Sequence, residues 1–229
     1  TYGVVKQAEE LAGRMHLSAE DTDLARLIAL LHDIGRFEQL KRYDSFEPGT
    51  MDHAAYGVKV LFDEGMIRRF LPDDKWDSII YTAIAHHSDY ELPEISDPQT
   101  LLHAKLIRDE DKLDNCRVKL VDSTSTFINV SEEELGTQNI TQKVYETVFK
   151  NKCILSADRV TQMDYWVSYI VYFFDINFKE SFDIIAENDY LNRIIDRISY
   201  SNPVTKEQME NIRVYMQNFI NSHTNSQSF

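Results

Sequence analysis

Residues that interrupt helices are scarce in this chain. Glycine and proline contribute only 7 and 5 of the 229 residues. Long segments in which apolar residues recur at helical spacing dominate instead. We therefore predict an all-α fold.

Cysteine is rarer still, and this limits the role of disulfides. Cys116 and Cys153 lie far apart and form no Cys-x-x-Cys motif, so they could pair only if the fold brought them together. We expect two free thiols in a reducing cytoplasm. No signal peptide is visible, and no run approaches the roughly 20 apolar residues of a membrane helix. We therefore predict a cytoplasmic protein with no membrane partner. Because the first residue is Thr1 rather than Met, we also expect the natural chain to begin upstream.

Basic residues are far fewer than acidic residues in this chain. Lysine and arginine number 24 against 38 acidic residues, which gives a net charge of −14 and a pI near 4.9. Such a chain should repel nucleic-acid backbones, and no basic stripe with interleaved aromatic residues opposes this. We therefore exclude nucleic-acid polymers as partners. A small anionic substrate remains possible, because a bound divalent cation can reverse the local field.

One predicted core helix ends in an unusual pair of side chains. Ser18 and Asp21 resemble the start of a capping box, and Gly35 should end the helix in a left-handed conformation. Near that end stand His32 and Asp33, whose burial would cost several kcal/mol without compensation. A metal cation would compensate both. The apolar residues that define this helix are Leu24, Leu27, Ile28, Leu31 and Ile34.

Helical periodicity also covers most of the remaining chain. Residues 36–51 should form a short helix and a loop at the mouth of the site, and Asp52 should cap the next helix. The acidic run 132–134 is predicted to be an exposed helix start. Predicted helices occupy residues 2–16, 52–65, 72–87, 100–118, 178–187, 189–200 and 203–222, with Ala54, Ala55, Val58, Leu61 and Phe62 inward in the second.

The sequence shows neither an internal repeat nor a clear linker. We predict a metal-binding helical core over 1–118, C-terminal helices over 119–222 packed on the same domain, and a flexible tail over 223–229. One C-terminal helix is apolar nearly all round, which predicts either deep burial or half of a homodimer contact. Its first stripe is Met163, Trp166, Val167, Ile170 and Phe174, and its second is Tyr165, Tyr169 and Tyr172.

Further metal-ligand candidates stand beside other predicted helices. His53 begins one helix, His86 and His87 end another, and Asp111 lies on a fourth. Together with His32 and Asp33 they form a nitrogen and oxygen set that suits Fe, Mn, Zn, Co or Ni, with Mg possible where oxygen dominates. No thiolate belongs to this set, which argues against a structural zinc site. Each histidine could instead be a hydrogen-bonded core residue, Asp33 could pair with Arg36, and Asp111 could be an exposed acid.

The motifs resemble those of the HD superfamily of metal-dependent phosphohydrolases, which fold as helical bundles. Residues 31–38, Leu-His-Asp-Ile-Gly-Arg-Phe-Glu, resemble its central motif, and Asp111 within 108–114 resembles its late aspartate. His53, His86 and His87 are similar to the extra histidines of two-metal branches, which include HD-GYP-type cyclic-dinucleotide phosphodiesterases and dinucleoside tetraphosphate hydrolases. The resemblance covers about residues 1–118. It assigns the first family histidine to a position before Thr1, and the absence of Gly-Tyr-Pro after His87 disfavours a cyclic di-GMP phosphodiesterase.

The resemblance implies a binuclear phosphohydrolase that acts on a small phosphate ester or a nucleotide through water activated by one or two divalent transition metals. Asp33 would bridge the ions and take part in catalysis. His32 and Asp111 would hold one ion, together with the upstream histidine. His53, His86 and His87 would hold the other.

Substrate contacts can also be predicted. Arg36 and Lys112 are candidate phosphate donors, and Tyr43, Phe46 and Tyr90 could stack on a base. One alternative is a catalytically silent regulatory HD module that binds metal or nucleotide. Another is a structural protein that dimerises through its aromatic C-terminal helices.

Overall fold

The computed structural model describes residues 1–45 and 49–224. Within these ranges every regular element is helical, which confirms the all-α prediction. The chain divides into two compact units, Thr1–Asp111 and Lys112–Phe229. Phe46, a predicted stacking residue, and residues 225–229 of the predicted tail lie outside the described residues.

The first unit is built from short helices. In it α1 packs on α2, and both α2 and α4 pack on α5. A π-helical turn, Lys59–Asp63, extends α4, and a 3-10 turn, Met66–Arg69, follows it. The helices are α1 (Tyr2–Arg14), α2 (Ala19–Leu31), α3 (Arg36–Tyr43), α4 (His53–Val58), α5 (Asp77–Ala85) and α6 (Pro98–Val121), of which α6 continues into the second unit.

Two predicted caps begin their helices as expected. The Ser18 hydroxyl accepts a hydrogen bond from the Asp21 backbone N–H at 3.0 Å, and Asp52 accepts one from the Ala55 N–H at 2.9 Å. Each cap satisfies an N–H group that the first helical turn leaves without a partner. The positions of α2 and α4, which carry His32 and His53 at their ends, are therefore encoded locally.

Three local predictions were wrong. Gly35 has φ −67° and ψ −21°, so it does not end α2 in a left-handed conformation. The helix expected from residue 72 begins at Asp77, after a turn in which the Asp77 N–H binds the Asp74 carbonyl. Ala55 was expected to face inward but is exposed. The buried face of α4 consists of Ala54, Gly57 and Val58, and Ala55 lies on another face of the helix.

The second unit is also helical throughout its described part. Here α10 packs on α7, α8 and α9, while α11, α12 and α13 pack on one another. The 3-10 turns Ser156–Asp158 and Tyr172–Asp175 flank α10. The helices are α7 (Thr124–Ile128), α8 (Glu132–Thr137), α9 (Gln142–Val148), α10 (Gln162–Val171), α11 (Lys179–Glu187), α12 (Tyr190–Asp196) and α13 (Pro203–Thr224).

Burial in the second unit follows the predicted stripes. Met163, Trp166, Val167 and Ile170 are fully buried, and the tyrosine stripe is half-buried. The Lys119 ammonium lies 4.0 Å from the ring centre of Tyr169, a cation–π contact within the same unit. The stripe from Met163 to Ile170 therefore belongs to the core of this unit. A homodimer contact through this helix stays a prediction. The acidic run 132–134 is exposed at the start of α8, also as predicted.

Both cysteines are free thiols, which confirms that prediction. Burial raises the pKa of the Cys116 thiol to about 12, so this group stays protonated near neutral pH. None of the helices in the described ranges is long and apolar enough to cross a membrane.

Candidate metal centre

The end of α2 fixes the orientation of His32. Its ring Nδ1 lies 2.8 Å from the Ala29 carbonyl oxygen, which can only accept, so Nδ1 carries the hydrogen. In the neutral ring Nε2 then bears a lone pair. The side chain is 1% exposed, and Nε2 has no hydrogen-bond partner within residues 1–45 and 49–224. Burial lowers the pKa of His32, which keeps the ring in this neutral form.

The turn after α5 orients His87 in the same way. Its Nδ1 donates to the Ile84 carbonyl oxygen at 2.8 Å, which again leaves Nε2 as the unprotonated nitrogen. In both cases the carbonyl belongs to a residue three positions earlier. Two buried imidazoles are therefore fixed by the backbone in the tautomer that binds a metal through Nε2.

Arg108 of α6 holds the turn that carries His87. One terminal nitrogen of this buried guanidinium donates to three backbone carbonyls, those of His86 at 3.0 Å, His87 at 3.3 Å and Asp89 at 2.7 Å. These bonds provide a donor for carbonyl groups of the turn that follows α5. The role of Arg108 was not predicted, because apolar periodicity does not indicate which backbone group a buried guanidinium will reach.

The Asp33 carboxylate lies between the histidines. Its Oδ2 is 3.5 Å from His32 Nε2, and its Oδ1 is 3.7 Å from His87 Nε2. His32 Nε2 also lies 3.8 Å from Asp111 Oδ1. These separations exceed normal hydrogen-bond lengths. The carboxylate and the two imidazole nitrogens thus face a common space without bonding to one another.

His53, the first residue of α4, completes the group on the Oδ1 side. Its Nε2 lies 3.3 Å from Asp33 Oδ1 and 3.1 Å from His87 Nε2. Because His87 Nε2 carries no hydrogen in the neutral ring, His53 donates in that contact. Burial, followed by the charge of Arg36, lowers the pKa of His53 to about 4, so the ring is neutral at pH 7.

Gly35 allows this approach of α4. A Cβ atom at position 35 would lie 2.0 Å from the His53 carbonyl oxygen and 2.9 Å from the Gly57 nitrogen. Only a residue without Cβ fits there. The glycine of the motif at 31–38 is therefore needed for close packing beside the candidate ligands rather than for a positive φ.

Asp33 is ionised, and Arg36 supports its charge. Burial is the largest influence on its pKa and raises it, but the interactions with the His87 and His32 rings and the positive charge of Arg36 outweigh burial, so the pKa lies well below its usual range. Arg36 Nε donates to Oδ1 at 2.7 Å. The predicted alternative, an Asp33–Arg36 pair, is thus present together with the histidine cluster. The buried Gln39 continues this network, since it accepts from Arg36 at 3.4 Å and donates to Thr50 at 2.8 Å.

A divalent cation fits this donor set. Unprotonated imidazole nitrogens facing a carboxylate repel one another unless a proton or a cation lies between them. In the part of the chain that the structure describes, His32, Asp33 and His87 are identified as a possible metal-binding group, with ligand atoms within 4.8 Å of one another.

The other predicted site residues are placed differently. Asp111 contacts the group at His32 Nε2, and its side chain is 35% exposed. His86 points its Nδ1 to Asp89 at 2.6 Å and is 35% exposed, so the structure does not bring it into the group. Lys112, the first residue of the second unit, pairs with Asp175 at 2.7 Å. Tyr43 and Tyr90 are 48% and 42% exposed, and stacking by either stays a prediction.

These helices bring a His-Asp doublet and further histidines together in a candidate metal centre. The model of the HD-domain family matches residues 1–116, and the chain belongs to this family. HD domains typically bind divalent metals and form a superfamily of metal-dependent phosphohydrolases. Searches of curated proteins and of solved structures found no match to the chain.

Proposed function

We propose that this chain is a phosphohydrolase that uses divalent metal in its first unit to release phosphate from a small phosphate ester. One observation carries the proposal: His32 and His87 both direct Nε2 at the Asp33 carboxylate, 3.5 and 3.7 Å away. The backbone fixes both rings in this orientation. Such preparation of ligands is typical of metal sites.

The distribution of contacts around Asp33 supports two ions. Oδ2 faces His32, which is also near Asp111, whereas Oδ1 faces His53 and His87. A carboxylate with a different imidazole group on each oxygen is suited to bridge two cations. We propose His32, Asp33 and Asp111 for one ion, and Asp33, His53 and His87 for the other. The nitrogen and oxygen donors favour Fe, Mn, Co, Zn or Ni over Mg.

When bound, such ions would supply Lewis-acid activation of water and polarisation of the phosphoryl oxygens. The side chains contribute the rest. Asp33 remains ionised, His32 presents the lone pair of its Nε2, and a metal at His53 would take the place of the hydrogen that its Nε2 donates to His87. The Arg36 side chain is about one-third exposed, so a phosphate that arrives from solvent can reach its planar donor fork. A contribution by Lys112 would require its ammonium to leave Asp175.

Metal content and hydrolysis test this proposal together. We expect the purified protein to hold more than one equivalent of transition metal, measured by elemental analysis, and Asp33→Asn to hold almost none. The exposed His16, outside the group, supplies the control variant His16→Gln, which should keep full metal content. His86→Gln decides whether that ring contributes. Full metal retention by Asp33→Asn would end the two-ion proposal.

A substrate panel addresses the reaction. Phosphate release from sugar phosphates, mononucleotides and dinucleotides should depend on added Mn, Fe, Co or Mg, and Asp33→Asn should lose it. The substitution preserves shape but removes the charge that both cations need. Absence of release across the whole panel with metal-loaded protein would refute the hydrolase.

A silent regulatory module is the second candidate, and one contact favours it. Arg36 Nε donates to Asp33 Oδ1 at 2.7 Å, so a guanidinium already neutralises the oxygen that would face the second ion. Such a module would bind metal or nucleotide without turnover. Metal binding with no phosphate release from any compound of the panel would favour this candidate.

A further inference from the structure

A groove in the first unit has features of a ligand site. We name it the α3–α4 groove. Its cavity of about 340 Å³ lies at the lower end of the range of small-molecule sites, about 300–1,000 Å³. It runs between the end of α3 and the first turns of α4. The lining residues are Arg42, Tyr43, Thr50, Met51, Asp52, Ala55, Tyr56 and Lys59.

The groove is connected to the metal centre along α4 and through a chain of hydrogen bonds. Asp52 directly precedes His53, and residues 52, 55, 56 and 59 share one face of α4 and its extension. At about 1.5 Å per residue, that face continues for about 9 Å beyond His53. A chain of hydrogen bonds from Asp33 through Arg36 and Gln39 ends at Thr50 in the groove. A ligand with its phosphate at the metal centre could therefore extend along this face.

The groove combines aromatic rings with cations. The Arg42 guanidinium lies 5.4 Å and the Lys59 ammonium 5.8 Å from the ring centre of Tyr56. Tyr43 adds a ring that is 48% exposed. Arg42 uses Nε for Glu38 at 2.7 Å, but a guanidinium has five N–H donors. In a chain of net charge −14, two cations beside aromatic rings form a local site for an aromatic anion.

We propose that the α3–α4 groove binds the base of a nucleoside phosphate whose phosphate lies at the metal centre. Tyr43 and Tyr56 provide stacking surfaces, and Arg42 and Lys59 attract the anion and flank the ring. The proposal rests on the hydrolase proposed above for the fate of the phosphate, whereas base recognition is testable without turnover.

Calorimetric titration of the metal-loaded protein measures base recognition separately from chemistry when each phosphate ligand is used as its phosphonate analogue, whose P–C bond is not hydrolysed. AMP should bind about tenfold or more tightly than ribose 5-phosphate, which lacks the base, because stacking of one base on an aromatic ring has an effect of this size. Adenosine, which lacks the phosphate, should bind more weakly than AMP. GMP, CMP and UMP then report which base the groove prefers.

Variants of the groove locate the binding. Tyr56→Ala should reduce AMP affinity about tenfold, Tyr56→Phe should restore it because the ring remains, and Lys59→Ala should weaken AMP more than adenosine. Lys41→Ala, which removes a 79% exposed lysine of α3 outside the groove, is the matched control and should bind AMP as the unmodified chain does. Circular dichroism of each variant reports whether it is folded.

The outcomes separate the two proposals. Equal affinity for ribose 5-phosphate and AMP, or unchanged AMP affinity in folded Tyr56→Ala, would overturn base binding by the groove even if metal-dependent hydrolysis is observed. If AMP bound more tightly than ribose 5-phosphate and Tyr56→Ala lost this difference, the result would support base binding by the α3–α4 groove. If no phosphate were then released, the hydrolase proposal would be refuted, whereas the groove would remain a nucleotide-binding site.

Discussion

Substitution of Gly35 by alanine tests whether the close approach of α4 determines the metal centre. The new Cβ would lie 2.0 Å from the His53 carbonyl oxygen, about 1.4 Å short of the 3.4 Å at which ordinary contacts begin. The obstructing atoms belong to the backbone, so no side-chain rotation can relieve the overlap. We expect α4 to move and the free energy of unfolding to fall by about 1–3 kcal/mol or more, as in other overpacked sites.

A second glycine supplies the matched control. Gly13 lies within α1, and a Cβ there would meet nothing within 4 Å. Alanine is the better helix former, so Gly13→Ala should raise stability by about 0.5–1 kcal/mol. The two variants carry the same chemical change and should shift the stability in opposite directions.

Urea unfolding and metal titration provide the readouts. Gly35→Ala should unfold at lower urea concentration than the unmodified chain, and its metal affinity should fall because α4 carries His53. Gly13→Ala should keep the metal affinity. If Gly35→Ala unfolded at an unchanged urea midpoint with unchanged metal affinity, the packing explanation would be refuted.

Three further predictions concern charge and hydrogen bonding. In chelator-treated protein, lowering the pH from 7 to 4.5 should reduce the free energy of unfolding by about 2–3 kcal/mol through His53. The ring of the unfolded chain binds a proton below about pH 6.5. The ring of the folded chain has a pKa of about 4 and stays neutral at pH 4.5. His53→Gln should lose less on acidification in urea titrations, and equal losses would contradict this. Arg108→Gln removes three hydrogen bonds to the turn at 86–89 and should weaken metal affinity 10- to 100-fold in metal titrations. Arg108→Lys should have an intermediate affinity. An unchanged metal affinity in Arg108→Gln would show that the turn keeps its conformation without Arg108. Asp164→Ala should destabilise the second unit by about 3 kcal/mol or more, since the Thr141, Val160 and Thr161 N–H groups lose their acceptor. A thermal midpoint unchanged from that of Glu133→Gln, an exposed control, would refute it.

Local signals in the sequence predicted the all-α fold and two helix caps, although not the conformation of Gly35 or the start of α5. Ser18 and Asp52 act within three residues of their partners, so their capping role is visible from spacing alone. Apolar periodicity likewise predicted the buried face of α10. The His-Asp doublet at the end of α2 was recognisable because such residues rarely end an apolar helix.

Other features depend on contacts distant in sequence. α5 ends at Ala85, so His86 and His87 lie on a turn where helical periodicity does not decide which ring faces inward. The bond from His87 to the Ile84 carbonyl decides it. Lys112 pairs with Asp175, a partner 63 positions away that no local pattern indicates. The close contact of Gly35 with α4 was missed for the same reason.

The bonds from His32 and His87 to the Ala29 and Ile84 carbonyls have a consequence for evolution and for engineering. Main-chain atoms are present whatever the neighbouring side chains are. Mutational drift around the centre can therefore alter its shape or polarity while both imidazoles keep their protonation pattern. The same arrangement could be grafted onto other helix ends, since it requires a histidine and one turn of helix before it.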